Sequence, residues 1–290
     1  MRAESSDARG TASIPMISRT YHDVTGPDRS RLGEQVAQQH DRVRRRLAGV
    51  RRVIAVMSGK GGVGKSYVTA GLAMGLARAG QAAGVLDADF NGPTTARLLD
   101  ADPNARLRVD EDGIDPVVAR DGVRLMSMTQ LLDDGQPLVF RGPGHDSFVW
   151  RGAAEAAALR EFLADVRWGS LDVLLVDLPP GIQRGLELCD LLERPPNGIA
   201  VTIPTLESEA AVRRALRAGL DGGIQMIGVV ENMVGSQFPG AAGSTLAREF
   251  ALPLLARLPF HPGIDLWNDL ATRLDISPTH SAPRAPHSAT

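Results

Sequence analysis

The chain has 290 residues, 43% of them hydrophobic and 23% charged, with a formal net charge of −2. This is ordinary for a globular protein with a sizeable core, and near-neutrality gives no argument for a nucleic-acid or membrane-surface partner. One cysteine excludes an internal disulfide framework and any four-cysteine metal site within a chain; no apolar run spans a bilayer and no signal-peptide pattern opens the sequence, so a cytoplasmic protein is expected.

Residues 1–28 mix Ser, Thr, Pro, Gly and charge without periodicity and are expected to be disordered. From Arg29 to Val50, the residues Leu32, Val36, Val43, Leu47 and Val50 recur at helical spacing and predict an N-terminal helix (29–50). Its basic cluster, Arg42, Arg44, Arg45 and Arg46, reads either as a solvated helix face or as a binding patch. RRVIAVM (51–57) predicts a strand, SGKGGVGKS (58–66) a glycine-rich loop, and 67–80 a helix closed by Gly80. AAGVLDAD (82–89) predicts a strand ending in acids. Residues 106–128 alternate in short pieces around Asp112-Gly113 and Asp121-Gly122, which suggests a small β excursion.

Beyond it, 156–166 reads as a helix and LDVLLVDLPPG (171–181) as a buried strand running into a turn. Strands at 198–204, 224–232 and 253–260 then alternate with helices near 207–219, 243–250 and 263–274, and 275–290 reads as a disordered tail. Repeated β–α units with near-continuous apolar strands imply one α/β domain over 51–274. Its sheet would be twisted and mostly parallel, with helices on both faces.

The glycine loop holds both lysines of the chain, Lys60 and Lys65; every other basic residue is arginine. Gly59 to Ser66 satisfies G-x-x-x-x-G-K-S between a strand and a helix, the pattern of a phosphate-binding loop. Its glycines let successive backbone N–H groups turn inward onto phosphate oxygens, and the following helix adds its N-terminal dipole. Lys65 is a compact charge suited to the β- and γ-phosphates, and the Ser66 hydroxyl can ligate Mg²⁺. Nucleotide-binding candidates are therefore Gly59, Lys60, Gly61, Gly62, Val63, Gly64, Lys65, Ser66 and Tyr67. Asp87 and Asp89, two residues apart, face the same side of an extended chain. Asp177 closes the apolar run LLVD, as a Walker B acid should, and Asn232 ends another strand. A guanine-reading N-K-x-D motif is impossible, because no lysine stands outside the loop, and ATP is favoured over GTP.

KGGVGKS resembles the deviant Walker A loop of the ParA/MinD superfamily. The resemblance implies that Lys60 reaches the partner subunit's nucleotide across a homodimer, that Asp87 belongs to the Mg²⁺ shell, that Asp89 orients the attacking water and that Asn232 recognises adenine. With LDADFNGP, WRG (150–152), VTIPT and GVVENM, residues 51–274 are similar to the Mrp (ApbC-like) ATPases, described as carriers in iron–sulfur cluster assembly. This implies Lys60, Lys65 and Asp89 as the catalytic set, and Ser66, Asp87 and Asp177 as the metal set.

Two departures stand out. Where Mrp proteins carry a C-x-x-C pair after ENM, this chain reads VGSQFPGAAG (234–243). Cys189 lies elsewhere, in an apolar helix-like stretch expected to bury it, so a [4Fe–4S] cluster of its own is not expected. The family's PPGTGD is PPGIQR (179–184), with Arg184 in place of an acid. The leading expectation is a slow, homodimeric ATPase whose client lies in iron–sulfur assembly. A positioning ATPase of ParA/MinD type and a non-hydrolysing ATP-gated scaffold are the alternatives.

Overall fold

Short apolar runs alternating with amphipathic ones produce the layers expected of them. The computed structural model describes residues 32–105, 107–131 and 148–274; the disordered ends expected at 1–28 and 275–290 lie outside these. The chain divides into two units, 1–38 and 39–290. Of the first, only the opening turns of helix α1 (Leu32–Arg46) are described.

The second unit continues with β1 (Val53–Met57), α2 (Lys65–Arg78), β2 (Ala83–Asp87) and the single turn α3 (Thr95–Leu98). A hairpin of β3 (Arg108–Asp110) and β4 (Gly113–Asp115) leads through β5 (Val117–Val118) to β6 (Arg124–Met126). Then follow α4 (Phe148–Asp165), β7 (Val173–Asp177), α5 (Gln183–Leu191), β8 (Asn197–Thr202) and α6 (Leu206–Asp221). β9 (Gln225–Val234), α7 (Ala242–Glu249), β10 (Leu254–Pro259) and α8 (Ile264–Arg273) complete the set.

Eight strands form one sheet in the order β10-β9-β8-β1-β7-β2-β6-β5. Every pairing is parallel except β5 with β6. The expected β excursion is therefore only half separate. The β3–β4 hairpin stands apart, whereas β6 pairs with β2 and extends the main sheet, because Leu125 and Met126 are fully buried there. α4 starts eight residues before the expected 156; Gly152 in its first turns reads as a breaker in sequence and is accommodated in the helix.

Alternation along β1 assigns its side chains to two cores. Ala55 and Met57 join a cluster with Leu159 and Leu163 of α4, Val212 and Leu216 of α6 and Leu246 of α7. Ile54 and Val56 join Val68, Leu72 and Leu76 of α2 with Trp267 and Leu270 of α8. Both faces are covered, as a parallel sheet requires. The chain leaves β1 toward β7 and β2 on one side and later builds β8, β9 and β10 on the other. The order thus reverses at β1, and ligands of such sheets bind beyond the strand carboxyl ends at that point.

Three arginines of α1 are bonded within the molecule. Arg42 pairs with Asp165, Arg44 with Asp41 at 2.9 Å, and Arg46 donates to the carbonyls of Ala164 at 3.2 Å and Asp112 at 2.6 Å. Cys189, expected to be buried, is only half-buried, packed on the rim of the first cluster.

Helix α2, which carries the loop at its N-terminus, is seated by glycines. A Cβ on Gly71 would meet the Trp267 ring at 2.5 Å, and one on Gly75 the Trp267 carbonyl at 2.5 Å. Helix propensity alone would make Gly75→Ala stabilising by about 1 kcal/mol. The backbone contact reverses the sign: the variant should be less stable by about 1–3 kcal/mol, read as a lower urea midpoint. A raised midpoint would show that α8 gives way without cost.

Candidate nucleotide and metal site

The loop sits where β1 ends and α2 begins, and its shape depends on glycine at two positions. Gly62 and Gly64 both have φ of +78°, in the left-handed region that favours glycine. Gly64 has no room for a side chain either, since a Cβ would stand 2.3 Å from the Asn232 Nδ2. Val68 N–H to Gly64 O (3.0 Å) is the first bond of α2. The N–H groups of Lys65, Ser66 and Tyr67 therefore precede the helical ladder and face the open end.

Lys65 is 7% exposed and its Nζ donates to Asp177 Oδ1 at 2.9 Å. Thr69, one turn further on α2, donates to the same Oδ1 at 3.1 Å. Asp177 is fully buried, and among the described residues its Oδ2 has no hydrogen-bond partner. Directly across the sheet, Asp87 of β2 is in register with Asp177 of β7. Its carboxylate accepts from Thr95 Oγ1 (2.5 Å), Thr95 N–H (3.2 Å), Ser127 Oγ (3.3 Å) and Asp89 N–H (3.3 Å). Burial, and secondly the negative charge of Asp177, push Asp87 up to about 7 against these hydrogen bonds. Two facing buried carboxylates, one with a bare oxygen, fit a small hard cation with oxygen ligands. Mg²⁺ takes one or two carboxylates and completes its shell with water and phosphate.

Asp89 is half-buried. Its carboxyl is raised chiefly by burial; Lys65 opposes this, while Asp177 and then Glu155 add to it. Asn232 is buried and donates from Nδ2 to the Val63 carbonyl at 3.0 Å, which leaves its Oδ1 and its second amide N–H to offer a base. Lys60 is half-buried. Ser58 Oγ donates to its carbonyl at 2.9 Å, and its charge is felt at Glu207 at the start of α6. The Tyr67 ring packs edge-on against Trp267 with centroids 5.5 Å apart, so its side chain is taken up by the core.

Lys65, Asp87, Asp89 and Asp177 thus meet at the strand ends, and Asn232 joins the loop at Val63, while the Tyr67 ring packs against Trp267. Thr69, Thr95 and Ser127 are additions. Thr69 had a signal, four residues after Lys65 and so on the same helix face; Ser127 follows a strand end, as the acids do. Thr95 had none.

A family model described as ParA, NUBPL iron-transfer P-loop NTPase, matches residues 49–285. The iron–sulfur cluster carrier protein of Saccharolobus solfataricus is 34% identical, covering 83% of this chain and 82% of the relative. The cytosolic Fe–S cluster assembly factor NUBP2 of Bos taurus is 38% identical over 74% and 82%. Among solved structures, the nucleotide-binding protein of Archaeoglobus fulgidus in complex with ADP superposes with a TM-score of 0.62 at 31% identity, covering 82% of this chain and 94% of that one. The septum site-determining protein MinD of Pyrococcus horikoshii, complexed with Mg-ADP, gives 0.53 at 21% over 77% and 96%, and shares the fold.

The raised Asp87 has a measurable sign. Its folded value of about 7 lies above the ordinary 3.8, so between the two the folded chain holds a proton that the unfolded chain has released. The associated stability is complete below the unfolded value and is lost as pH rises through the folded one. In EDTA, wild type should lose stability relative to Asp87→Asn by up to about 1.4 kcal/mol per pH unit across this window. Urea titrations of both proteins at several pH values check it; parallel profiles would refute the assignment.

Proposed function

This chain belongs to the ParA family of iron-transfer P-loop NTPases, and on that premise we propose that it is a homodimeric, Mg·ATP-driven switch with slow ATPase activity serving iron–sulfur cluster assembly. The observation that carries the reading is the meeting of Lys65, from the loop, with Asp177 from the end of β7, in register with Asp87 on β2. Those are the three groups a nucleotide's phosphates and their cation need side by side.

In this reading the N–H groups of residues 61–67 cradle the phosphates. Lys65 leaves Asp177 for the β- and γ-oxygens. Asp87, Asp177 and Ser66 hold Mg²⁺, which when bound neutralises charge developing on the phosphates. Asp89 orients the attacking water and accepts its proton. Asn232 keeps the loop in shape through Val63 and offers Oδ1 to the adenine amino group. Lys60 serves the nucleotide of a second copy. Among the described residues no helix is long and apolar enough to cross a membrane.

Three substitutions separate these roles. Lys65→Ala should abolish ATP binding. Lys60→Ala should retain binding and lose ATP-dependent dimerisation and turnover. Asp89→Ala should bind ATP and dimerise while turnover falls about 10²–10⁴-fold. Nucleotide titration, light scattering and phosphate release read the three. Normal dimerisation of Lys60→Ala at saturating ATP would remove its role across the interface. ATP-dependent dimerisation of the wild type without turnover would favour a gated scaffold.

Cluster chemistry is assigned to the client. Cys189 is the one thiol of the chain, so two copies supply two thiolates where a [4Fe–4S] cluster takes four. Protein purified without oxygen should be colourless and iron-free while binding ATP. Stoichiometric iron and sulfide, lost in Cys189→Ser, would return the cluster to this chain.

A further inference from the structure

The segment after β7 is stitched to the phosphate loop. Gly181 N–H donates to the Ser58 carbonyl at 2.9 Å, and Pro180 lies beside Gly61, whose Cβ would meet its Cγ at 3.9 Å. Three residues beyond Gly181, on the first turn of α5, Arg184 turns inward and is 8% exposed. Its Nη2 donates to the Gly152 carbonyl at 2.7 Å and to Glu155 Oε2 at 3.0 Å, and its Nη1 pairs with Glu187. The other oxygen of Glu155, Oε1, accepts from Asn91 Nδ2 at 2.8 Å. Asn91 lies two residues beyond Asp89, in a turn closed by Gly92 N–H to the Asp89 carbonyl at 3.2 Å. One carboxylate of α4 is thus held by one oxygen to each of the two segments that flank the phosphate end of the cleft.

We propose that Arg184 is a positioning residue for ATP hydrolysis, acting through Glu155 and Asn91 to fix the loop that carries Asp89. The inference rests on the ATPase reading above. A largely buried ion pair is by itself weak evidence of stabilisation, because apolar residues of the same volume often serve as well. Its distinctive contribution is geometric. The guanidinium is planar and here spans three acceptors, so its plane cannot rotate without losing one of them. Glu155 is held by two donors and has little rotamer freedom left. Asn91 is exposed, and its described side-chain bond is the one to Glu155. Hydrolysis is sensitive to displacements of a fraction of an ångström in the group that orients water, whereas nucleotide binding rests on the glycine loop and Lys65. Loss of the chain Arg184–Glu155–Asn91 should therefore appear in kcat and spare affinity.

The test uses the full-length protein, with phosphate release, titration of a fluorescent ATP analogue, and thermal melts. Arg184→Met and Asn91→Ala should each lower kcat about 10- to 100-fold while nucleotide affinity stays within about threefold. The double variant should be no slower than the slower single one, since both substitutions break one chain. Multiplicative losses, or loss of affinity with kcat intact, would reduce Arg184 to a packing contact. Should Arg184→Met fail to fold, Asn91→Ala decides alone: unchanged kcat there overturns the proposal. A wild type that binds ATP without turnover overturns the ATPase reading and this inference together, whereas active wild type with unaffected variants overturns this inference only.

Discussion

Everything in the cleft is organised by the buried contact between Lys65 Nζ and Asp177 Oδ1 at 2.9 Å. The lysine begins a helix and the carboxylate ends a strand, so this one ion pair fixes α2 against the centre of the sheet. Asp177 is neighbour to β1 on one side and β2 on the other, where it stands in register with Asp87. Two adjacent buried carboxylates repel; the lysine compensates one of them, and Thr95, Ser127 and the Asp89 N–H support the other. The other Asp177 oxygen, without a partner among the described residues, suits a second positive charge of small radius.

A consequence is that the lysine is not idle before ligand arrives. It is held in a low-dielectric pocket by a carboxylate that, in the proposed reading, it exchanges for phosphate oxygens. Exchanging one anionic partner for another costs less than extracting the ammonium from water. The lysine is therefore preorganised, and the glycines shape the backbone beside it.

Much of this was legible in the sequence because it is carried by local patterns. β-branched runs gave β1, β7 and β9; the glycine spacing gave the loop; acids at strand ends gave Asp87 and Asp177. What was not legible depends on partners distant in sequence. No local rule tells that Asn232 leans on Val63, that Tyr67 packs on Trp267, or that Thr95 and Ser127 converge on Asp87. Arg184 is the clearest case. Read alone it is a basic residue where the family has an acid, and only the packing of α4 against α5 reveals Glu155 as its partner. The β excursion was half misjudged for the same reason. RLM is too short to show a period, and burial beside β2 decides its sheet.

The distance along the chain between the loop and its supports bears on the order in which a ribosome makes them. Residues 59–66 leave the exit tunnel early, yet the amide that shapes the loop follows Val63 by 169 positions. The ring that seats Gly71 comes later still, on α8. A nascent chain thus carries a complete glycine motif with no finished cradle. The finished cradle requires β9 and α8, both made long after the loop, to be in place.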